Sequence, residues 1–354
     1  MENQGVTRDK VRLGIIGLGW IGTTQHARAA VQIEGCQLVA VSDVNPSAEK
    51  TAEQFHARFY PDCREMLDKE KLDGVVVATP THLHASIGVE CAKRGLHLLM
   101  DKPIASTLEE SDKLIEAARE NKVRLLVGHH RRFNPYVEEM RRIVTEGQLG
   151  KLVGMVVLWA LLKSDDYYEP AWRRQKGAGP ITNNVIHDID VLRVIGGGVS
   201  RVYAEKSHEV RKFEVEDTGS ITLRFVNGAI ANIFISDAVP SPWADEHTTG
   251  EITAFPQYGE NCYYVFGTQA SLSFPHMKKV FYPDPIKRGW REPLAFEEIN
   301  VPFYNPYEKQ MKHFIKVIKG EENPRTTGED ARRTLEVILS VFESCETGQP
   351  IDLK

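Results

Sequence analysis

The run Val11-Arg12-Leu13-Gly14-Ile15-Ile16, followed at once by Gly17-Leu18-Gly19-Trp20-Ile21-Gly22, constrains this chain more than any other segment. An apolar run without alternation reads as a strand covered on both faces. The three glycines allow a tight turn, close approach of the backbone to an anion, and close packing of a helix against the strand. Residues 21–32 read as that helix, its free N–H groups aimed at the loop. Strand, glycine loop and helix in this order open a parallel α/β unit.

A second apolar run, Gln37-Leu38-Val39-Ala40-Val41-Ser42, ends in Asp43, roughly 20 residues beyond Gly22. A carboxylate there accepts hydrogen bonds from ribose hydroxyls and repels a 2′-phosphate, so the unit reads as a dinucleotide site. NAD is favoured over NADP, because Val44-Asn45-Pro46 supplies no cation. The expected cofactor contacts are Gly17, Gly19, Trp20, Ile21, Gly22 and Asp43. Further apolar runs at 74–78, 96–100 and 123–127 alternate with helical stretches at 46–57, 83–94 and 108–121. This predicts an α/β Rossmann domain, a doubly wound parallel sheet with ligands at the carboxyl ends of its strands. Thr79, Pro80 and His84, after the fourth strand, and Asp101 and Lys102, after the fifth, join the expected cofactor contacts. His129-His130 follow the sixth, either approaching the cofactor or closing a hydrogen-bonded turn.

Lys102 carries the first chemical expectation. It ends a buried strand, where an ammonium lacks cheap hydration, and Pro103 fixes the chain's exit. Burial lowers a lysine's pKa, which suits proton transfer near neutrality. The second chemical constellation is Asn183-Asn184-Val185-Ile186-His187-Asp188-Ile189-Asp190. On an α-helix, positions 183, 187 and 190 share a face. Histidine suits the abstraction of a hydroxyl proton, because its ordinary pKa lies near neutrality. A metal at His187, Asp188 and Asp190 is disfavoured, since Asp188 points away from His187 on such a helix; no metal is expected. No Gly-x-Ser-x-Gly elbow supplies a nucleophile.

From about residue 151 the texture changes. A long strand at 153–162 precedes an irregular segment and a helix near 181–195. Alternating runs then meet at Asn227-Gly228, a hairpin signal, and short strands continue to about 301. The second domain is therefore α+β with a large open, mostly antiparallel sheet, followed by amphipathic helices at 306–319 and 328–347. The expected division gives residues 1–128, with 305–354 returning, to the dinucleotide domain, and 129–304 to substrate binding and oligomerisation. Trp159, Asp165, Tyr167, Tyr168 and Trp172 form an aromatic, acidic stretch that suits a sugar or a packed loop equally. Ser236 to Trp243 lines either the substrate pocket or a subunit contact.

At 354 residues the chain is long enough for two domains, and 42% apolar with 26% charged residues is an ordinary soluble balance. A net charge of −5 without a basic block argues against nucleic acid. No apolar run is long enough to span a membrane, and the polar start Met1-Glu2-Asn3-Gln4 is no secretory signal. Five scattered cysteines read as reduced thiols of a cytoplasmic protein.

Several of these segments resemble the glucose–fructose oxidoreductase and inositol dehydrogenase family (Gfo/Idh/MocA). Asp101-Lys102-Pro103 resembles its Glu-Lys-Pro motif. Thr79-Pro80 through His84, Arg131-Arg132-Phe133-Asn134-Pro135, Trp172-Arg173 before Gly177-Ala178-Gly179, and the tail from Ser344 to Pro350 also match its patterns. The resemblance covers nearly the whole chain. It implies a nicotinamide-dependent enzyme that oxidises a secondary hydroxyl of a sugar, sugar acid, glycoside or cyclitol, or reduces the matching ketone. Lys102 and His187 would be catalytic, Asn183, Asp190, Trp172, Arg173 and Tyr168 would bind substrate, and Arg132 would join the cofactor contacts. Similar enzymes carry aspartate where this chain has Asn183, which orients an imidazole but supplies no charge. The resemblance also implies that the open sheet packs between subunits, giving a homodimer or homotetramer. The alternatives are a dehydrogenase of a carbocyclic dihydrodiol and a non-catalytic NAD-binding regulator of the same fold.

Overall fold

In the computed structural model, which describes residues 10–353, the glycine loop follows the first of six parallel strands. These are β1 (Val11–Ile16), β2 (Cys36–Ser42), β3 (Arg58–Tyr60), β4 (Gly74–Val77), β5 (His97–Met100) and β6 (Leu125–Val127), in the order β3-β2-β1-β4-β5-β6. The nine strands of a second sheet are β7 (Leu152–Ala160), β8 (Val199–Ser207), β9 (Thr218–Phe225), β10 (Ile230–Ser236), β11 (Tyr263–Gly267), β12 (Ala270–Phe274), β13 (Lys278–Phe281), β14 (Ala295–Glu298) and β15 (Ile351–Asp352). The helices are α1 (Arg28–Gln32), α2 (Ala48–Gln54), α3 (Cys63–Lys69), α4 (His84–Lys93), α5 (Leu108–Glu120), α6 (Pro135–Thr145), α7 (Ile186–Gly196), α8 (Asp245–Thr248), α9 (Pro306–Ile318) and α10 (Gly328–Thr347). The polar opening Met1-Glu2-Asn3-Gln4 lies outside the described residues.

The chain divides into two units, one up to His130 with Asn305–Leu335, the other Arg131–Tyr304 with everything from Glu336 on. In the first, Leu13, Ile15, Val41, Val76, Leu99 and Leu126 build a buried core that α9 completes through Met311, Phe314 and Ile315. The reversal of strand order falls between β1 and β4, the place where such sheets take ligands. The sequence reading returned all of 305–354 to this domain. The structure divides that segment instead, because Val337, Ile338 and Val341 bury in the second unit's core and Ile351–Asp352 pairs with β8.

The second unit's sheet runs β14-β13-β12-β11-β7-β10-β9-β8-β15 and is antiparallel except where β10 pairs with β7. Its inner face is carried by every second residue: Met155, Val157 and Trp159 on β7, and Ala231, Ile233 and Ile235 on β10, all buried. Helix α6 escaped the sequence reading, although Asn134 caps it by accepting from the Tyr136 N–H (3.0 Å) and Pro135 begins it. Among the described residues no helix is long and apolar enough to cross a membrane.

Candidate active site

The glycine loop is built as its residue types require. Gly17 has φ +97°, and a Cβ there would lie 2.5 Å from the Ala78 carbonyl oxygen. A Cβ on Gly22 would lie 2.1 Å from the Gly17 carbonyl oxygen, so both positions admit only glycine. Gly19 is different: a Cβ there meets nothing within 4 Å, which leaves its face open to a ligand. Asp43 folds back onto the loop, its carboxylate accepting from the Leu18 N–H (2.7 Å) and the Asn45 N–H (2.8 Å). The helix expected at 21–32 begins as a π-helical stretch, Gly22–Ala27, before α1. Thr23 and Thr24 donate their hydroxyls to the Leu18 and Trp20 carbonyls, competing with the ordinary helical ladder. Trp20 is half exposed beside the loop.

At the ends of β4 and β5 the sheet presents Thr79, Pro80, Asp101 and Lys102. The Thr79 hydroxyl is buried with no hydrogen-bond partner in the structure, an acceptor and donor held for something absent from it. The open face at Gly19, this hydroxyl and the Asp43 carboxylate fit a dinucleotide. Lys102 is half-buried, and its N–H donates to the Asp101 carboxylate (2.8 Å). His84 is buried, its ring nitrogens 2.8 Å from the Thr79 carbonyl and 2.7 Å from the Pro103 carbonyl. The sequence reading made it a cofactor contact; the structure engages both nitrogens with the backbone. Past β6, His130 stacks on Tyr307 with ring centroids 4.1 Å apart, and buried His26 makes a T-shaped contact with the same tyrosine. Burial lowers the His26 pKa despite the opposing charge of Asp101.

In the second unit, His187 is the second residue of α7 and is buried. The stretch before it, Ile181–Val185, is π-helical, so Asn183 and His187 are not related by the plain α-helical turn that the sequence suggested. Asn183 donates to the Ala178 carbonyl (2.7 Å). Asp190, expected to meet substrate, is buried and receives both Nε and Nη2 of Arg132, at 2.7 and 2.6 Å. Arg132, expected at the cofactor, is thus the bidentate partner of Asp190.

Asp188, weighed in the sequence only as a metal ligand, and Arg131, named there only within a family pattern, form a buried charge cluster of this unit. Asp188 accepts from Arg131 Nη1 (2.8 Å) and from the Tyr263 hydroxyl, while Asp245 lies 3.5 Å from Arg131 Nε. Burial pushes the Asp188 carboxyl up to about 6, against the pull of Arg131. Burial also raises Asp245 well above the carboxylate range. For Arg131, burial works against the charge, but Asp245 and Asp188 more than offset it and hold the guanidinium cationic. A neighbouring cluster gathers the aromatic stretch. Lys163 Nζ lies 3.0 Å from Asn184 Oδ1 and 3.5 Å from the Asp237 carboxylate, over the rings of Trp159 and Tyr167. Tyr168 is buried with its hydroxyl on Asp237, and Trp172 is exposed. Arg173 donates to the Tyr167 carbonyl (2.7 Å) with its guanidinium over the Tyr167 and Trp172 rings.

Residues 11–129 match the oxidoreductase family model with an NAD-binding Rossmann fold, and residues 137–273 match the GFO/IDH/MocA C-terminal domain. The chain belongs to the Gfo/Idh/MocA family. Like the family, it is a nicotinamide-dinucleotide-dependent oxidoreductase. Among its Gfo/Idh/MocA relatives, the myo-inositol 2-dehydrogenase of Thermotoga maritima is 27% identical, covering 97% of this chain and 99% of the relative. The 1,5-anhydro-D-fructose reductase of Ensifer adhaerens is also 27% identical, over 97% and 98%. The WlbA dehydrogenase of Bordetella pertussis, solved with NADH and UDP-GlcNAcA, shares the fold with a TM-score of 0.78 at 24% identity, over 98% of this chain and 99% of that one.

Proposed function

We propose that this protein is an NAD-dependent dehydrogenase that oxidises a secondary hydroxyl of a sugar, sugar acid, glycoside or cyclitol, or reduces the matching ketone. One observation carries the reading: the Asp101-Lys102-Pro103 turn leaves the same sheet edge whose β1 and β2 ends build the glycine loop and Asp43. NAD, when bound, supplies the hydride acceptor. Gly17, Gly19 and Gly22 let the backbone approach its phosphates, and Asp43 holds ribose hydroxyls. Lys102 and His187 handle the proton of the reacting hydroxyl. Asn183 orients without adding charge, and Trp172 and Arg173 offer an aromatic and cationic surface to a polyol. The names of the Thermotoga and Ensifer relatives, a cyclitol dehydrogenase and a sugar-ketone reductase, support this substrate range. Turnover of a polyol panel with NAD tests it.

The preference for NAD rests on Asp43. Val44 is 90% exposed, so an arginine placed there is free to meet a 2′-phosphate. Replacing Asp43→Ser together with Val44→Arg is expected to move the preference toward NADP by about 1–3 kcal/mol, the worth of one charge-assisted contact. Relative kcat/KM for the two cofactors measures it. A wild-type protein that already prefers NADP contradicts the assignment.

The second unit is proposed to assemble into a homodimer or homotetramer through the outer face of its sheet. That face carries Ile230 and Phe234 on β10, Val156 and Leu158 on β7, and Phe266 on β11; Ile230 and Phe266 both pair with Gly154 and so share one row. Unpartnered apolar rows of this kind mark interaction surfaces. Sedimentation at micromolar protein is expected to show the oligomer, and Phe234→Glu with Phe266→Glu is expected to dissociate it. A monomeric wild type defeats the proposal.

A further inference from the structure

We infer that His84 is a positioning residue that clamps the loop after β4 to the turn after β5 and thereby fixes Lys102. The inference rests on the reading of Lys102 as a proton-handling group. Its basis is the place of the imidazole. His84 opens α4, is 1% exposed, and sets one ring nitrogen 2.8 Å from the Thr79 carbonyl and the other 2.7 Å from the Pro103 carbonyl.

β4 and β5 are neighbouring parallel strands, so their loops leave the sheet side by side. The ladder pairs Val77 with Met100, and the Asp101 N–H still reaches the Val77 carbonyl (2.8 Å). One residue further, Lys102 is held through its N–H by the Asp101 side chain. Pro103 has no N–H to offer, so its carbonyl is the handle by which the far side of Lys102 is gripped. His84 takes that handle and the Thr79 carbonyl together. The clamp therefore takes an N–H on each ring nitrogen of His84, since a single N–H would bond one carbonyl and leave a lone pair facing the other. The backbone of Lys102 is thus fixed on both sides, by Asp101 before it and by His84 through Pro103 after it. The base of a side chain that must meet a hydroxyl cannot drift without cost, since a displacement of about 1 Å at a reacting group can lower turnover as much as about 100-fold.

The test uses the NAD-loaded protein with the polyol that the wild type turns over best, and compares His84→Ala, His84→Gln and Lys102→Ala. His84→Ala is expected to lose about 10- to 100-fold in kcat. NADH affinity, read by nicotinamide fluorescence, is expected to fall far less than kcat, because the glycine loop and Asp43 are untouched and only the loop at Thr79 is loosened. The alkaline limb of the pH–rate profile is expected to move. His84→Gln keeps one N–H donor and is expected to recover part of kcat and of the profile. A folded His84→Ala protein with wild-type kcat and pH profile overturns the inference, as does a Gln variant no better than the Ala variant. Should the Ala variant fail to fold, the Gln variant decides: lowered kcat at retained NADH affinity supports the clamp, and a wild-type profile overturns it. Near-normal turnover in Lys102→Ala is a separate result, which overturns the reading of Lys102 itself and the clamp with it.

Discussion

Lys102→Ala is expected to lose more than about 100-fold in turnover while still binding NADH, the usual worth of a positioned acid or base. The separation of the two readouts follows from the fold. The proposed cofactor contacts are built mainly at the β1 and β2 ends, where Gly17 and Gly22 are locked by neighbouring backbone and Asp43 is tied to Leu18 and Asn45. Lys102 lies after β5, beyond those contacts in the strand order, and its removal leaves them intact. His187→Ala is expected to lose turnover likewise with NADH binding kept. Steady-state kinetics with a fluorescence titration of NADH checks both variants. Equal losses in kcat and in NADH affinity would instead make Lys102 a cofactor contact.

Arg131→Met is expected to destabilise the second unit by about 3–5 kcal/mol, because removing one partner of a buried ion pair leaves the others uncompensated. Asp188 and Asp245 are both almost fully buried beside that guanidinium. The pH dependence has a definite sign. Burial raises Asp188 from an unfolded value of about 4 to about 6 in the folded chain, so protons favour the folded state over that interval. Its contribution is complete below the unfolded value and is lost as pH rises through about 6. Without Arg131 the carboxyls bind protons more tightly still. The variant's deficit is therefore expected to be largest at neutral pH and above, to shrink as pH falls toward about 6, and to level off below it. Denaturant melts of both proteins across this range measure it, and a deficit independent of pH contradicts the coupling.

The first unit was legible in the sequence because its signals are local. Gly17 and Gly22 each have a steric reason that a residue type alone conveys, and Asp43 ends an apolar run. The second sheet was legible as alternation around Asn227-Gly228. What escaped depends on contacts distant in sequence. Nothing in Arg132 and Asp190, 58 residues apart, announces that they pair, nor that Arg131 and Tyr263 both reach Asp188. The π-helical turns before α1 and α7 were hidden too, because side chains of Thr23, Thr24 and Asn183 redirect backbone carbonyls that periodicity assigns to an ordinary helix. Helix α10 defeated the domain boundary, because its residues up to Leu335 group with the first unit while Val337, Ile338 and Val341 bury in the second unit's core.

In the proposed function, hydride passes between a polyol carbon and NAD in this chain. The most direct test of this transfer is to mix wild-type protein and NAD with a panel of sugars, aldonates, glycosides and inositols and to follow the near-ultraviolet absorbance of reduced nicotinamide. The expected result is NADH formation with at least one member, slowed when the carbon-bound hydrogen of that member is replaced by deuterium. Tight NADH binding with no absorbance change from any member, or from the matching ketones in reverse, would contradict the account and leave a dinucleotide-binding regulator in its place.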